Sequence, residues 1–283
     1  MKNKLSIIIA HYYPNTKDYK NPLIRTLDSI SEDYMKNKNL EVIIADDGSH
    51  YSNSIVENYS KKIDIDNDIR SIYTIENEKL SSFLEYQSIN YEFIKGWVYL
   101  PKLIKCMSKS RVLNHASRLS NNDYLLFLDD DNYFISNNSV NNILDLFSDY
   151  DFIAGQIKDN NGRLRQFSSN RVQGTTIAMK KKILFDIKGF GEWTEEYSCG
   201  IDSDLWIKLY HYFNNDKNLR ACYTNSISTY DSHSKRWGKF TKIFKEWNIR
   251  KKFKELYGCK NYKKAYSNPS RKKELWIENL IDE

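Results

Sequence analysis

Tyr124-Leu125-Leu126-Phe127-Leu128-Asp129-Asp130-Asp131-Asn132 joins a short apolar run to three adjacent carboxylates. Apolar residues without polar alternation predict a strand buried on both faces. Carboxylates crowded at its exit repel one another and raise each other's pKa, and a divalent cation relieves that repulsion. Mg2+ and Mn2+ take hard oxygen ligands of this kind, often one or two carboxylates completed by substrate phosphates. Taken alone, the triplet also reads as a solvated acidic turn. The surrounding sequence bears on that choice.

Upstream, strand and helix patterns alternate. Leu5–Ala10 and Leu40–Ala45 are β-branched apolar runs, and Ile69–Ile75 is a third. Between them Asn21–Met35 carries Leu23, Ile24, Leu27 and Ile30 at helical spacing, and Ser52–Lys61 reads as a second helix. Such alternation predicts an α/β fold with a mostly parallel, Rossmann-like central sheet flanked by helices. Ligands of such sheets bind beyond the carboxyl ends of the strands. The aromatic-rich stretch Glu78–Lys102 is long for a connection and predicts structure of its own, either a satellite core or a lid. Downstream, Asp159-Asn160-Asn161-Gly162 is a hairpin turn signal, Asp202–Phe213 a helix and Leu219–Tyr223 a short strand.

Two further acidic sites fall where this fold would open. Asp46-Asp47-Gly48-Ser49 follows the second strand, as an Asp-Gly turn or as a carboxylate able to accept a nucleobase N–H. Asp202-Ser203-Asp204 begins a helix, where acids cap free N–H groups and suit the dipole. Helical residues two apart point about 200° from each other, so Asp202 and Asp204 are expected to do different jobs.

These sites in this order resemble the family 2 glycosyltransferases of the GT-A fold. The likeness covers roughly Leu5 to Lys235 and includes Arg111-x-x-Asn114-x-Ala116, the Asp-x-Asp of Asp129–Asp131, the Gly189-Phe190 approach to Asp202, and His233. The resemblance implies an inverting hexosyl- or N-acetylhexosaminyltransferase acting on a nucleotide sugar, UDP-linked, with Mn2+ or Mg2+ as cofactor. It places Asp47 on the uracil ring, the Ala10 backbone and Arg111 beside the nucleotide, and Asp130 by the ribose. Asp131 becomes a metal ligand and His233 another, while Asp202 becomes the catalytic base with Asp204 its rival. Ile201 departs from the family pattern, which has an acid just before that base. His233-Ser-Lys-Arg236-Trp237 looks like the Gln-x-x-Arg-Trp motif of processive synthases with His in place of Gln. The glycan acceptor implied by analogy belongs to surface polysaccharide biosynthesis.

Composition sets outer bounds. The 283 residues are 40% apolar and 28% charged, enough for a buried core and unlike a disordered chain. The longest apolar runs are far short of the roughly 18–20 residues of a membrane span. The chain starts without an apolar signal region, so a cytoplasmic protein is expected, with peripheral attachment at the inner membrane face an open option. Cys106, Cys199, Cys222 and Cys259 lack metal-site spacing and read as buried thiols.

The net charge of +6 is uneven. Lys235–Lys273 holds 15 Lys/Arg against Glu246 and Glu255, a net +13, which leaves −7 on the remainder. The division expected is a catalytic domain over 1–234 and a basic, mainly helical extension over 235–283. Phe240, Ile243, Phe244 and Trp247 form an apolar stripe, but Phe253 and Leu256 shift to another face. Packing on the body, an anionic membrane surface and a polyanionic acceptor are the candidate partners of 235–273. No nucleic-acid partner is expected, since no recognised nucleic-acid fold accompanies the charge. A nucleotidyltransferase making sugar nucleotides is the rival enzyme class, disfavoured by the lack of a Gly-rich phosphate loop after the first strand. A non-catalytic nucleotide- or glycan-binding module is the third reading.

Overall fold

The computed structural model describes residues 4–14, 21–36, 38–58, 61–64, 70–102, 107–136, 138–168, 171–232, 239–266 and 276–281. Its strands are β1 Leu5–His11, β2 Leu40–Asp46, β3 Lys61–Asp64, β4 Ser71–Ile75, β5 Ile94–Tyr99, β6 Tyr124–Asp129, β7 Asn132–Phe134, β8 Phe152–Lys158, β9 Ile177–Lys180, β10 Ala221–Asp231 and β11 Glu278–Asn279. The helices are α1 Leu23–Lys36, α2 Ser54–Asn58, α3 Asn77–Tyr86, α4 Lys109–Leu119, α5 Ser139–Leu146, α6 Lys181–Asp186, α7 Ile201–Asn215, α8 Lys239–Tyr257 and α9 Tyr262–Tyr266.

The strands make one sheet in the order β11-β10-β8-β9-β6-β1-β2-β5-β4-β3, with β7 paired to β10. Its centre, β6-β1-β2-β5, is parallel. Side chains on β1 alternate faces, and both faces are apolar. Ile8 and Ala10 pack with α4 and α7, whereas Leu5, Ile7 and Ile9 pack with α1, α3 and α5. That two-sided burial explains the unbroken hydrophobic runs of β1, β2 and β6. The helix starts are fixed by side-chain acceptors, one local and one distant: Asn21 Oδ1 accepts the Leu23 N–H at 3.1 Å, and Asp33, on α1, accepts the N–H groups of Asn138 and Val140 at α5.

The central sheet is mostly parallel, as expected, and the antiparallel pairs lie outside its centre: β9 runs antiparallel between β6 and β8, and β3 and β4 pair antiparallel at the far edge. Several other expectations need revision. Ser52–Lys61 is not one helix: a 3-10 turn over His50–Asn53 leads into the short α2, and Lys61 already belongs to β3. The Glu78–Lys102 stretch is neither a lid nor a separate satellite core. It forms α3 and β5, and β5 lies inside the sheet between β2 and β4. Trp97 is fully buried and stacks edge-on against Phe83 at 5.1 Å, so these aromatics belong to the main core on that face. β10 runs well beyond Tyr223, through a register shift between Thr224 and Ser228 that its Ser/Thr/Asn-rich sequence conceals. The turn at Asp159–Gly162 is present, with Gly162 at φ +81°. It is closed by the Asp159 N–H donating to the Arg163 carbonyl and the Arg165 N–H donating to the Ile157 carbonyl, each at 2.8 Å, around the isolated bridge of Lys158 with Leu164. Cys222 is buried, whereas Cys199 and Cys259 are half-buried; Cys106 lies outside the described residues.

The C-terminal segment joins the body. Ile249, Phe253, Tyr262, Tyr266, Trp276 and Ile277 share one buried cluster with Phe127 and Trp206, and β11 extends the sheet alongside β10. No described helix is long and apolar enough to cross a membrane.

Candidate active site

Parallel register brings the acidic sites to one sheet edge. His11 aligns with Asp46, and Ala10 aligns with Asp129. Just past the strands, the His11 carbonyl accepts the Asp47 N–H and the Ala10 carbonyl accepts the Asp130 N–H, each at 2.9 Å. Asp46, Asp47, Asp129, Asp130 and Asp131 thus emerge in adjacent rows.

Their roles differ by hydrogen-bond partner. Asp46 is fully buried and accepts from the Ser49 N–H, the Ser52 hydroxyl and the Trp97 indole, so it shapes the turn. Asp47 accepts the Ser108 N–H at 3.0 Å and pairs with Lys102 at 2.6 Å. Burial raises its pKa to about 6, with the Lys102 charge opposing the rise. Asp130 accepts from His11 Nδ1 at 2.8 Å and the Tyr12 N–H at 3.0 Å, while its carbonyl accepts the Thr26 hydroxyl. It therefore ties β6 to the loop after β1.

Asp131 is buried, and its carboxylate accepts the Asn132 amide N–H at 2.8 Å. Its carbonyl accepts both the N–H and the hydroxyl of Ser232, the residue before His233. His233 itself lies outside the described residues, as do Arg236 and Trp237. Beside Asp131 the Asn132 Oδ1 is buried without a hydrogen-bond partner. An orphaned amide oxygen next to a carboxylate fits a hard divalent cation. No group of three His, Cys, Asp or Glu gathers for a metal among the described residues. The remaining ligands would then have to come from elsewhere, as substrate phosphates often supply them for Mg2+.

The two aspartates of α7 contrast sharply. Asp204 is 0% exposed and saturated: it accepts the Gly191 N–H at 2.8 Å and the Trp193 indole at 2.9 Å, the Tyr257 hydroxyl also bonds to it, and Lys208 pairs with it at 2.8 Å. Asp202, two residues earlier, makes no hydrogen bond or ion pair among the described residues. Burial raises its pKa; Lys109 opposes the rise, Asp129 adds to it and Arg165 opposes it again. Lys109 also pairs with Asp129, so one cation neutralises the strand exit and acts on Asp202. Gly174 makes room for this carboxylate, since a Cβ there would lie 2.0 Å from Asp202 Oδ1.

Arg111 does not reach Asp47 or Asp130 directly. Its Nε donates to Glu195 at 2.9 Å and its Nη1 pairs with Glu192 at 3.3 Å. Glu195 also binds Arg70 and accepts the Ser108 hydroxyl at 2.6 Å. Its pKa is lowered because these partners outweigh its burial. Ser108 bridges the two networks, its N–H on Asp47 and its hydroxyl on Glu195. Asn114 bonds both the N–H and the carbonyl of Phe190, fastening α4 to the segment that leads into α7. Lys102, Ser108, Lys109 and Glu195 went unnoticed in the sequence. Lys109 alone carried a signal, as a cation two residues ahead of Arg111-x-x-Asn114. A cavity of about 490 Å3 opens near Phe213 and Trp276, at the start of β10 rather than at this edge.

Comparison with known proteins adds three findings. Residues 6–84 match the family model of glycosyl transferase family 2. The fold is that of solved GT-A structures. S. aureus TarS aligns at a TM-score of 0.54 and 15% identity over 89% of this chain and 40% of its own. The mannosyltransferase PcManGT from Pyrobaculum calidifontis, solved with GDP-Man and Mn2+, aligns at 0.55 and 15% over 90% of this chain and 64% of its own. The chain thus spans less than two thirds of either neighbour's length. No curated protein matches the sequence.

Proposed function

With residues 6–84 matching glycosyl transferase family 2 and the chain folded as GT-A, we propose that this protein is a metal-dependent, inverting glycosyltransferase. It moves a hexosyl or N-acetylhexosaminyl group from a nucleoside-diphosphate sugar, UDP-linked, to a glycan hydroxyl. Surface polysaccharide assembly is the setting the family resemblance suggests. The observation that best supports the reading is the Asp202 carboxylate, which has no hydrogen bond or ion pair among the described residues, feels the charges of Lys109 and Asp129, and is distinct from the saturated Asp204.

Each residue has a task in this reading. Asp47 accepts a base N–H once Lys102 moves aside, and the Ala10 backbone with Asp130 shapes the sugar side of the nucleotide pocket. Arg111 acts at one remove, holding Glu195 and through it Ser108 and Asp47. Asp131, with the Asn132 oxygen and His233, would hold a divalent cation, Mn2+ or Mg2+. That cation's chemistry, when bound, is to stabilise charge developing on the leaving phosphate. Asp202 takes the proton of the acceptor hydroxyl as it attacks the anomeric carbon; its raised pKa makes it a stronger base than a solvated carboxylate. A positioned base of this kind supplies about 10²–10⁴-fold. The PcManGT complex with GDP-Man and Mn2+ supports the donor class and the cofactor.

Calorimetric titration with UDP and GDP, with and without Mn2+, tests the donor site. The reading expects Mn2+-dependent binding that Asp131→Ala weakens by roughly tenfold or more. Binding of neither nucleotide in the presence of Mn2+ would overturn it.

A further inference from the structure

Over residues 247–254 the outer face of α8 is basic, exposed and bears one indole. Seven Lys/Arg and two Glu lie within Lys239–Tyr257. Each helical residue turns about 100° from the last, so Trp247, Arg250, Lys251 and Lys254 share a face opposite Ile249 and Phe253. The inward face is occupied. Phe253 stacks on Trp193 at 5.1 Å, and Ile249 Cδ1 lies 2.4 Å from where a Cβ on Gly200 would stand. Among the described residues the outward face has no such cover. Trp247 is 65% exposed, and Arg250, Lys251 and Lys254 are exposed without an ion pair among the described residues, whereas Lys252 pairs with Glu255 at 2.9 Å. Exposed Lys260 and Lys264 continue the positive charge towards α9.

We infer that this face docks the protein on an anionic lipid bilayer. Charge complementarity selects a negative partner, and juxtamembrane Lys/Arg each favour such a surface. The indole selects a bilayer among negative partners, because tryptophan partitions to the headgroup level, where its ring leaves water while its N–H stays hydrated. A flexible polyanion offers no apolar layer to receive it. Over the described side chains of 247–254 the apolar residues Ile249 and Phe253 are turned to the body, so along this stretch attachment rests on cations and one ring. It is therefore reversible and salt-sensitive, unlike that of an interfacial helix that buries a whole apolar face. Gly200, under Ile249, is two residues from Asp202. A membrane on the outer face of α8 thus lies about one helix diameter, roughly 10 Å, from the segment carrying the proposed base. Resting on the function proposed above, this placement points to a lipid-borne acceptor; the docking itself does not depend on it.

The test is co-sedimentation of the full chain with vesicles of phosphatidylcholine alone and of phosphatidylcholine and phosphatidylglycerol in equal parts, at low and at physiological salt. The inference expects binding to the anionic vesicles only, weakened by salt and accompanied by a blue shift of tryptophan emission. Replacing Arg250, Lys251 and Lys254 by Gln lowers affinity about fivefold per cation and roughly a hundredfold together. Trp247→Ala abolishes the emission shift. These side chains are exposed, so the variants keep the wild-type circular dichroism. Equal binding to neutral vesicles, no binding to anionic ones, or an unchanged triple variant overturns the inference. So does capture by soluble polyphosphate without capture by vesicles. Nucleotide titration of the same samples separates a failure of the docking from a failure of the enzymatic reading.

Discussion

Asp47 sits under two opposing forces. Burial favours its neutral form and lifts its pKa to about 6, while Lys102 at 2.6 Å favours the carboxylate. The sign for binding follows directly. Above about pH 6 the group is a carboxylate that accepts a base N–H; below it the group carries a proton and loses that capacity. Nucleotide affinity is therefore expected to fall by up to about tenfold per unit as pH drops below 6, and Asp47→Asn to remove that dependence. Calorimetry across pH 5 to 7.5 reads this out, and a flat wild-type profile contradicts the role given to Asp47. Stability moves the other way. A carboxyl raised in the folded state contributes most below its unfolded value, near 3.8, and that contribution is lost as pH rises towards 6. At this scale sequence reasoning reached its limit. The spacing of Asp202 and Asp204 shows that they face different ways, yet only the partners of Asp204 — Gly191, Trp193, Lys208 and Tyr257 — reveal which of the two is bound up in structure.

Elements with strong local periodicity were legible, and those defined by distant partners were not. β1, β2 and β6 are continuous apolar runs closed by acids, and their edges fell within a residue of the expected ones. β5 was hidden because its aromatics suit a helix-side cluster as well as a strand; its place is set by pairing with β2 and β4. β10 was cut short because Thr224–Thr229 reads as loop, although Thr176 and Thr229 exchange a buried hydroxyl bond across the sheet. The helix α8 is the clearest case. Its sequence shows a charge run with a shifting stripe, but not that Phe253 fills a slot against Trp193 and Gly200. Phe253→Ala is expected to cost about 3–5 kcal/mol, the range for truncating a fully buried aromatic. Urea unfolding measures it, and a loss below 1 kcal/mol would show that α8 is only loosely applied to the body.

Across the whole molecule, the uneven charge acquires a structural meaning. The acidic surplus of residues 1–234 includes the row of aspartates at one sheet edge, and the basic segment folds back so that its apolar side chains enter the core while its cations stay outside. The expected boundary near 234 therefore separates two charge regimes that share one buried cluster. The site depends on both: β6 and β2 supply the acids, and α8 braces the segment before Asp202. Parallel register explains why the Asp46–Asp47 and Asp129–Asp131 motifs, far apart in sequence, meet, and why Asp47 and Asp130 bond to neighbouring residues of β1. The networks through Lys102, Lys109 and Glu195 were beyond sequence, because each joins residues from different elements whose approach is set by packing. The central claim is that Asp202 is the general base of sugar transfer from a nucleotide donor. Its most direct test is nucleoside diphosphate release in the presence of Mn2+ by wild type, Asp202→Asn and Asp204→Asn, each checked for nucleotide binding by calorimetry. The account predicts that Asp202→Asn binds nucleotide like wild type but loses at least about a hundredfold in turnover, whereas Asp204→Asn unfolds at lower urea. Wild-type turnover by Asp202→Asn would contradict it.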